Sequence, residues 1–212
     1  MKKVAFDLET IANPAMIENL PPIVPNPKLK DPEKIKVDIE EKKLKQLEDM
    51  GANKFLNIIC CASFKDMENG DIVSVYLDEA MDEKVLLIRV WDYLHQYQRF
   101  ITFNGMEFDV PVLMAHSAIH RVLPTVDIST RKYVKANHAD LRMLLGNWDK
   151  YAKGTFDFFC RLFLGEGKPS GIDGSMVQHY WDCGLIEKIV AYCEDDVEKL
   201  ARLYEALKGY YV

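Results

Sequence analysis

The sequence predicts one α/β domain, a mixed sheet covered by helices, and three observations carry that reading. Short β-branched and aromatic runs alternate with stretches whose apolar residues recur at helical spacing. A turn signal, Glu68-Asn69-Gly70, joins two of the runs as a hairpin. The order strand, hairpin, helix, strand and then helices is the order that layers helices on a mixed sheet. With 212 residues, the chain is long enough for a single domain over 1–212.

Each element follows from its own stretch. Lys3 to Leu8 is a short apolar run ending in acids, read as the first strand. From Asp7 to Lys54 there is no Phe, Tyr or Trp, and six of the nine prolines lie between Pro14 and Pro32. Chain of that kind buries little apolar surface, so a Pro/Lys/Glu-rich surface insertion is expected at about 13–53. Within it, Asp31 to Met50 is dense in Glu and Lys, with Leu44, Leu47 and Met50 at helical spacing, which predicts a solvated helix lying on the body. Phe55 to Phe64 and Asp71 to Leu77 are the hairpin strands. Asp82 to Tyr97 carries a helical stripe at Val85, Leu86, Ile88, Trp91, Leu94 and Tyr97. Phe100 to Phe103 reads as a strand and Phe108 to Ile119 as a helix. After Val126 the chain reads as mostly helical, closing with a helix from Leu185 to about Leu207.

Composition narrows the class. Apolar residues make up 49% and charged residues 28%, which excludes wholesale disorder, collagen-like repeats and a disulfide-stapled miniprotein. No apolar run reaches the roughly 18 residues of a membrane span. Asp7 and Glu9 interrupt the apolar run that a signal peptide would need, so a soluble cytoplasmic protein is expected. The five cysteines contain no C-x-x-C pair, so they are read as buried reduced thiols and a zinc site is not expected. A net charge of −6 argues against a nucleic-acid partner, unless clustered carboxylates hold divalent cations.

Three acidic motifs carry the chemistry. In Phe6-Asp7-Leu8-Glu9-Thr10 the strand alternation puts Asp7 and Glu9 on one face, where two carboxylates repel unless one is protonated or a cation sits between them. Asn104-Gly105-Met106-Glu107-Phe108-Asp109 follows a strand and opens a helix, with Gly105 for the tight turn and Asp109 in the first helical turn. In Tyr192-Cys193-Glu194-Asp195-Asp196 the tyrosine and Asp196 are four apart and share a mostly apolar face with Ile189, Lys199 and Leu203. Asp196 is therefore expected to be partly buried, while Glu194, Asp195 and Glu198 fit a solvent-facing side. Taken singly, each motif reads as solvated acids or an ordinary helix start. Together and in this order they are specific.

These motifs resemble those of the DEDD 3′–5′ exonucleases of the ribonuclease H-like superfamily. The family's Asp-x-Glu, Asn-x-x-x-Phe/Tyr-Asp and Tyr-x-x-x-Asp match Asp7-Leu8-Glu9, Asn104 through Phe108-Asp109, and Tyr192 through Asp196. Tyr192 indicates the tyrosine subtype, since the histidine subtype would place His at position 191, which is Ala. More closely, the chain resembles a stand-alone bacterial group related to the exonuclease domain of family B DNA polymerases. The likeness extends to His138-Ala139-Asp140-Leu141 and to the loop from Gly167-Lys168-Pro169 to Asp173-Gly174-Ser175, and it covers nearly the whole chain. The Pro-rich insertion after the first motif departs from the pattern.

The resemblance implies a ribonuclease H-like fold and metal-dependent 3′–5′ hydrolysis of single-stranded nucleic acid, DNA favoured over RNA, to nucleoside monophosphates. It implies two divalent cations, Mg²⁺ or Mn²⁺, held by Asp7, Glu9, Asp109 and Asp196, an all-oxygen set that suits hard ions. Tyr192 would position the attacking water. Leu8, Thr10, Asn104 and Phe108 would contact a strand with a free 3′ end, Phe108 by stacking on bases. Protein partners are not indicated, and no membrane is. Lys168 and the cluster Arg131, Lys132 and Lys135 are weaker candidates for backbone contacts, and a solvated face explains the cluster equally well. His138 reads as a structural histidine. Two rival readings fit the residues less well. A haloacid dehalogenase-type phosphatase needs a second Asp where Glu9 stands, and a late acid at a strand end where Asp196 lies within a helical stretch. A nucleic-acid-binding module without catalysis has no use for clustered charge facing phosphate.

Overall fold

The computed structural model describes residues 1–78, 82–134, 137–149, 151–167, 174 and 176–212, and the backbone but not the side chain of Asn19. Lys135, Lys168, Pro169, Asp173 and Ser175, named above, lie outside the described residues. Five strands form one mixed sheet in the order β3-β2-β1-β4-β5. They are β1 (Lys3–Ala12), β2 (Asn57–Asp66), β3 (Ile72–Tyr76), β4 (Arg99–Thr102) and β5 (His138–Asp140). β1 pairs antiparallel with β2 and parallel with β4; β2 pairs antiparallel with β3, and β4 parallel with β5. The helices are α1 (Pro32–Gly51), α2 (Glu83–Leu94), α3 (Asp109–His120), α4 (Leu141–Leu145), α5 (Phe156–Leu164), α6 (Met176–Asp182) and α7 (Ile186–Leu207). Among the described residues, no helix is long and apolar enough to cross a membrane.

Alternation along β1 sorts the two layers. Val4, Phe6 and Leu8 enter a core built with Phe64, Phe100, Leu87, Val90, Trp91 and Leu113, under α2 and α3. Each of these large side chains contributes roughly 1.5–3 kcal/mol when fully buried. Ala5, with Ile101 and Ala139, packs against Leu200, Ala201, Leu203 and Tyr204 of α7. Asp7 and Glu9 share the face of Ala5, and so they look toward α7.

Three expectations need correction. β1 does not stop at Leu8; its pairing with β2 continues to Ala12, with a bulge opposite Glu9 and Thr10 where Cys60 is the extra residue. Motif one thus lies within a strand, not at its end. The stretch after Val126 is mostly helical, with α4 to α7, but it also holds an unforeseen fifth strand, β5. Glu194, Asp195 and Glu198 do not simply face solvent. Glu194 accepts a hydrogen bond from Ser74 Oγ (2.7 Å), Glu198 pairs with Lys65 (2.6 Å), and Asp195 pairs with the buried Lys199. The first two of these tie α7 to β3 and β2 and thereby fix the height of Tyr192 and Asp196 over the sheet.

The segment between β1 and β2 is folded onto the body by its own polar groups. It holds a short 3-10 helix over Pro14–Asn19 and then α1, which is N-capped by Asp31. The Pro-rich run straps back on α1: Pro21 O accepts from Gln46, Val24 O from Lys42, and Asn26 N–H donates to Asp38. At its far end α1 is anchored by Met50, which is buried, and by Gly51 O, which accepts from both Thr10 Oγ1 (2.7 Å) and Asn57 Nδ2 (2.9 Å).

Motif two leaves β4 through a tight turn. Asn104 takes a left-handed φ of 71°, a conformation Asn adopts more readily than most residues. Gly105 packs so closely on β4 that a Cβ there would sit 2.3 Å from Thr102 Oγ1. Gly105→Ala should therefore destabilise the protein by about 1–3 kcal/mol through overpacking, read from its urea unfolding midpoint.

Candidate active site

Beyond Ala5, β1 and β4 are no longer paired, and the crevice between them receives α3. In parallel sheets such an opening past the carboxyl ends of strands is where ligands bind. The Leu8 N–H, with no β4 carbonyl opposite, donates instead to Asp109 Oδ1 at 3.0 Å. Asp109 is the first residue of α3 and is 2% exposed. Motifs one and two are thus stitched together by one hydrogen bond.

α7 closes the site from above. Cys193 Sγ lies 3.5 Å from Asp7 O and 3.8 Å from Asp7 Oδ2, and side-chain ligand atoms of Asp7, Glu9 and Cys193 all fall within 4.8 Å of one another. Tyr192, one residue earlier, has its hydroxyl bonded to Asp196 and is close enough to Glu9 and Asp7 to feel both charges. Glu9 and Asp196 are both buried. The five candidate catalytic residues therefore converge: Asp7, Glu9, Tyr192 and Asp196 directly, and Asp109 through the Leu8 amide.

Electrostatics follow from this crowding. Burial, and then the facing charge of Asp140, push the Asp109 carboxyl up to about 7, against the lowering effect of its backbone hydrogen bonds. Burial raises the Tyr192 hydroxyl, and Asp196, Glu9 and Asp7 raise it further, so it stays a phenol and a donor. Burial likewise drives the Cys193 thiol well up. A thiol is a soft donor that Mg²⁺ and Mn²⁺ disfavour, so the carboxylates are the candidate ligating groups. The donor set is hard oxygen, and the repulsion among buried carboxylates is what a divalent cation relieves, so the residues present fit Mg²⁺ or Mn²⁺.

Substrate candidates divide between two depressions. Leu8, Thr10 and Phe108 line a cleft of about 330 Å³ together with Glu9, Leu47, Glu48, Gly51 and Gln178. Asn104 instead lines a separate groove of about 550 Å³ with Phe103, Glu107, Arg142 and Thr155. Its Oδ1 accepts from Arg142 Nη1 at 3.0 Å. Lys132 pairs with Glu107 at 3.3 Å, so it sits beside the motif-two turn.

Sequence reasoning missed the residue that shapes this turn. Asp140, 1% exposed, accepts from Asn104 N (2.9 Å), Met106 N (2.9 Å) and Met143 N (3.2 Å). It holds the motif-two backbone and caps α4 at once. The local signal was an acid just before an apolar run, an N-cap pattern, but its long-range partners left no trace in spacing. Arg142, Gln178 and Cys193 also went unassigned. His138 is a structural residue: Nδ1 contacts Ser129 O and Nε2 contacts Thr102 Oγ1, both at 2.8 Å. Four of the five cysteines are buried thiols, as expected, while Cys183 is exposed.

With this geometry in hand, relatives can be placed. Residues 52–205 match the family described as "Predicted 3'-5' exonuclease related to the exonuclease domain of PolB". The chain belongs to that family of exonucleases. The matched stretch contains motifs two and three and begins after motif one, which the fold itself brings to them. Among solved structures, the chain is similar to the family B DNA polymerase from the hyperthermophilic archaeon Pyrobaculum calidifontis. The TM-score is 0.66 at 17% identity, over 98% of this chain and 24% of the polymerase chain. This chain thus spans about a quarter of that polymerase. The likeness shows the fold, an α/β domain with a mixed sheet flanked by helices. No curated protein matches.

A pH dependence follows from Asp109. Its carboxyl titrates near 7 in the folded protein and near its ordinary 3.8 when unfolded, so the folded state holds the extra proton between those values. In chelator, stability should be highest below the lower value and fall as pH rises through the upper one, by about 4 kcal/mol. Asp109→Asn should flatten the slope between about pH 5 and about pH 8 in urea unfolding. Saturating Mg²⁺ should reverse the wild-type trend, because a cation binds the ionised form.

Proposed function

We propose that the chain is a tyrosine-subtype DEDD exonuclease that removes nucleoside monophosphates from the 3′ end of single-stranded nucleic acid, DNA in preference to RNA. The observation that carries this reading is the convergence of Asp7, Glu9 and Asp196 on the Tyr192 hydroxyl, with Asp109 joined through Leu8. Asp7, Glu9, Asp109 and Asp196 would hold two Mg²⁺ or Mn²⁺ ions. Bound there, such ions supply an activated water and charge stabilisation for the leaving oxygen.

The chain's own groups do the rest. Tyr192, kept as a phenol by burial and then by its anionic neighbours, donates its proton to Asp196 and orients the water rather than acting as a base. Phe108 faces the cleft at the head of α3 and offers a ring for the terminal base, a contact every base tolerates. Leu8 and Thr10 line the same cleft, so the nucleotide that enters it is held beside Glu9. Leu47, Glu48 and Gly51 of α1 supply another wall. That placement supports the segment at 13–53 as an arm that admits and holds the strand. Asn104, in the neighbouring groove with Arg142, is suited to the backbone of the following nucleotides.

The test is incubation with 5′-labelled single-stranded DNA and RNA in Mg²⁺, Mn²⁺ or EDTA. A ladder shortening from the 3′ end, abolished by EDTA, is expected; no shortening on any substrate refutes the proposal. Asp196→Ala should lose nearly all activity. Tyr192→Phe should stay folded, bind Mn²⁺ normally and turn over about 10² to 10⁴-fold more slowly. Asp195→Asn, which keeps the polar contact to Lys199, should retain most activity in the same nucleotide-release assay. Shortening the strap between Pro21 and Pro32, whose bonds to α1 are exposed, should leave melting largely intact. Release from long strands should then fall more than cleavage of dinucleotides.

A further inference from the structure

A second cluster of ligating atoms lies between α2 and α3. Glu83, in the first turn of α2, places Oε1 2.8 Å from His116 Nδ1 and Oε2 2.7 Å from His120 Nε2. The two histidines are one helical turn apart near the end of α3 and present one face to Glu83. All three ligand atoms fall within 4.8 Å of one another. His116 is 2% exposed, and His120 is partly open to solvent.

The hydrogen bonds around His116 fix its tautomer. Asn57 Nδ2 donates to Gly51 O, so Asn57 Oδ1 is the atom that faces His116 Nε2, at 2.8 Å. Nε2 must then carry a proton, so in the neutral ring the lone pair is on Nδ1. Nδ1 is buried and makes no hydrogen bond, although the Glu83 carboxylate is 2.8 Å away. A ring lone pair directed at a carboxylate is repelled unless a cation lies between them. Glu83 Oε1 is held in place by the Ile59 N–H, which donates to it at 2.7 Å.

We propose that Glu83, His116 and His120 form a binding site for one Zn²⁺-class ion, separate from the carboxylate site. Two imidazoles and one carboxylate are a donor set that suits zinc and neighbouring first-row metals and disfavours Mg²⁺. Asn57 supplies the outer contact that such a histidine needs, accepting from Nε2–H and so turning Nδ1 inward. The ligand atoms now sit at 2.7–2.8 Å, and tetrahedral bonds to zinc would spread them to about 3.3 Å. His120, partly open, can make that adjustment. The pair His116-x-x-x-His120 has the short spacing that places two imidazoles on one helix face.

The test uses the full chain carrying Asp7→Asn, which removes a central carboxylate of the other site and keeps the two questions apart. After chelation, titration with Co²⁺ should give visible d–d bands of a nitrogen-ligated ion, and one equivalent of Zn²⁺ should abolish them. Zn²⁺ should raise the melting temperature, and millimolar Mg²⁺ should not reproduce the bands. His120→Gln, at a partly exposed position, should keep its circular dichroism and bind Zn²⁺ about a hundredfold more weakly or worse. Two results overturn the site: Zn²⁺ binding that is equal with and without His120→Gln, or no metal taken up and both His116 ring nitrogens found protonated by NMR.

Discussion

Like charge held out of water is the constraint around which this fold is arranged. Three of the four motif carboxylates, on Glu9, Asp109 and Asp196, are buried, and Asp7 lies beside them. Each element that brings one in must therefore be fixed by interactions outside the repelling group. α7 is fixed by apolar packing on Ala5 and Ile101 and by polar ties at Ser74 and Lys65. α3 is fixed by Val110, Val112 and Leu113 in the other core. The apolar layers supply the free energy, and the polar ties set the register in which it is delivered.

The motif-two turn shows how the same economy works on the backbone. A left-handed Asn104 and a Gly105 pressed on Thr102 leave N–H groups without strand partners. Asp140 collects two of them, and Asp109 collects the Leu8 N–H that β4 leaves behind. Buried donors must find acceptors, and here acids with different duties supply them. Asp140 spends its charge on backbone, whereas Asp109 also faces the site. The proximity of the two is one reason the Asp109 carboxyl is pushed up.

Periodicity made much of this legible. The Asp7-x-Glu9 alternation and the four-residue step from Tyr192 to Asp196 follow from strand and helix geometry alone, and both faces are the ones observed. The hairpin, α2, α3 and α7 were found for the same reason. What escaped has a common physical cause, since contacts between residues far apart in sequence leave no local pattern. Ser74 meets Glu194 across 120 positions, and Lys65 meets Glu198 across 133. β5, three residues with His138 and Asp140 buried as polar groups, has neither the length nor the composition of a strand. The bulge at Cys60 is a property of two strands in register, which neither reveals alone.

The Leu8 amide has a use beyond architecture. Its proton is held by the side chain of Asp109, 3.0 Å away in the crevice past the last β1–β4 pair, rather than by a neighbouring strand. The strength of that bond tracks the electron density on Asp109 Oδ1, which changes when the carboxyl takes up or loses a proton. One backbone resonance, far down the chain from Asp109, is therefore a built-in gauge of the state of the site, readable by NMR without any label on the substrate.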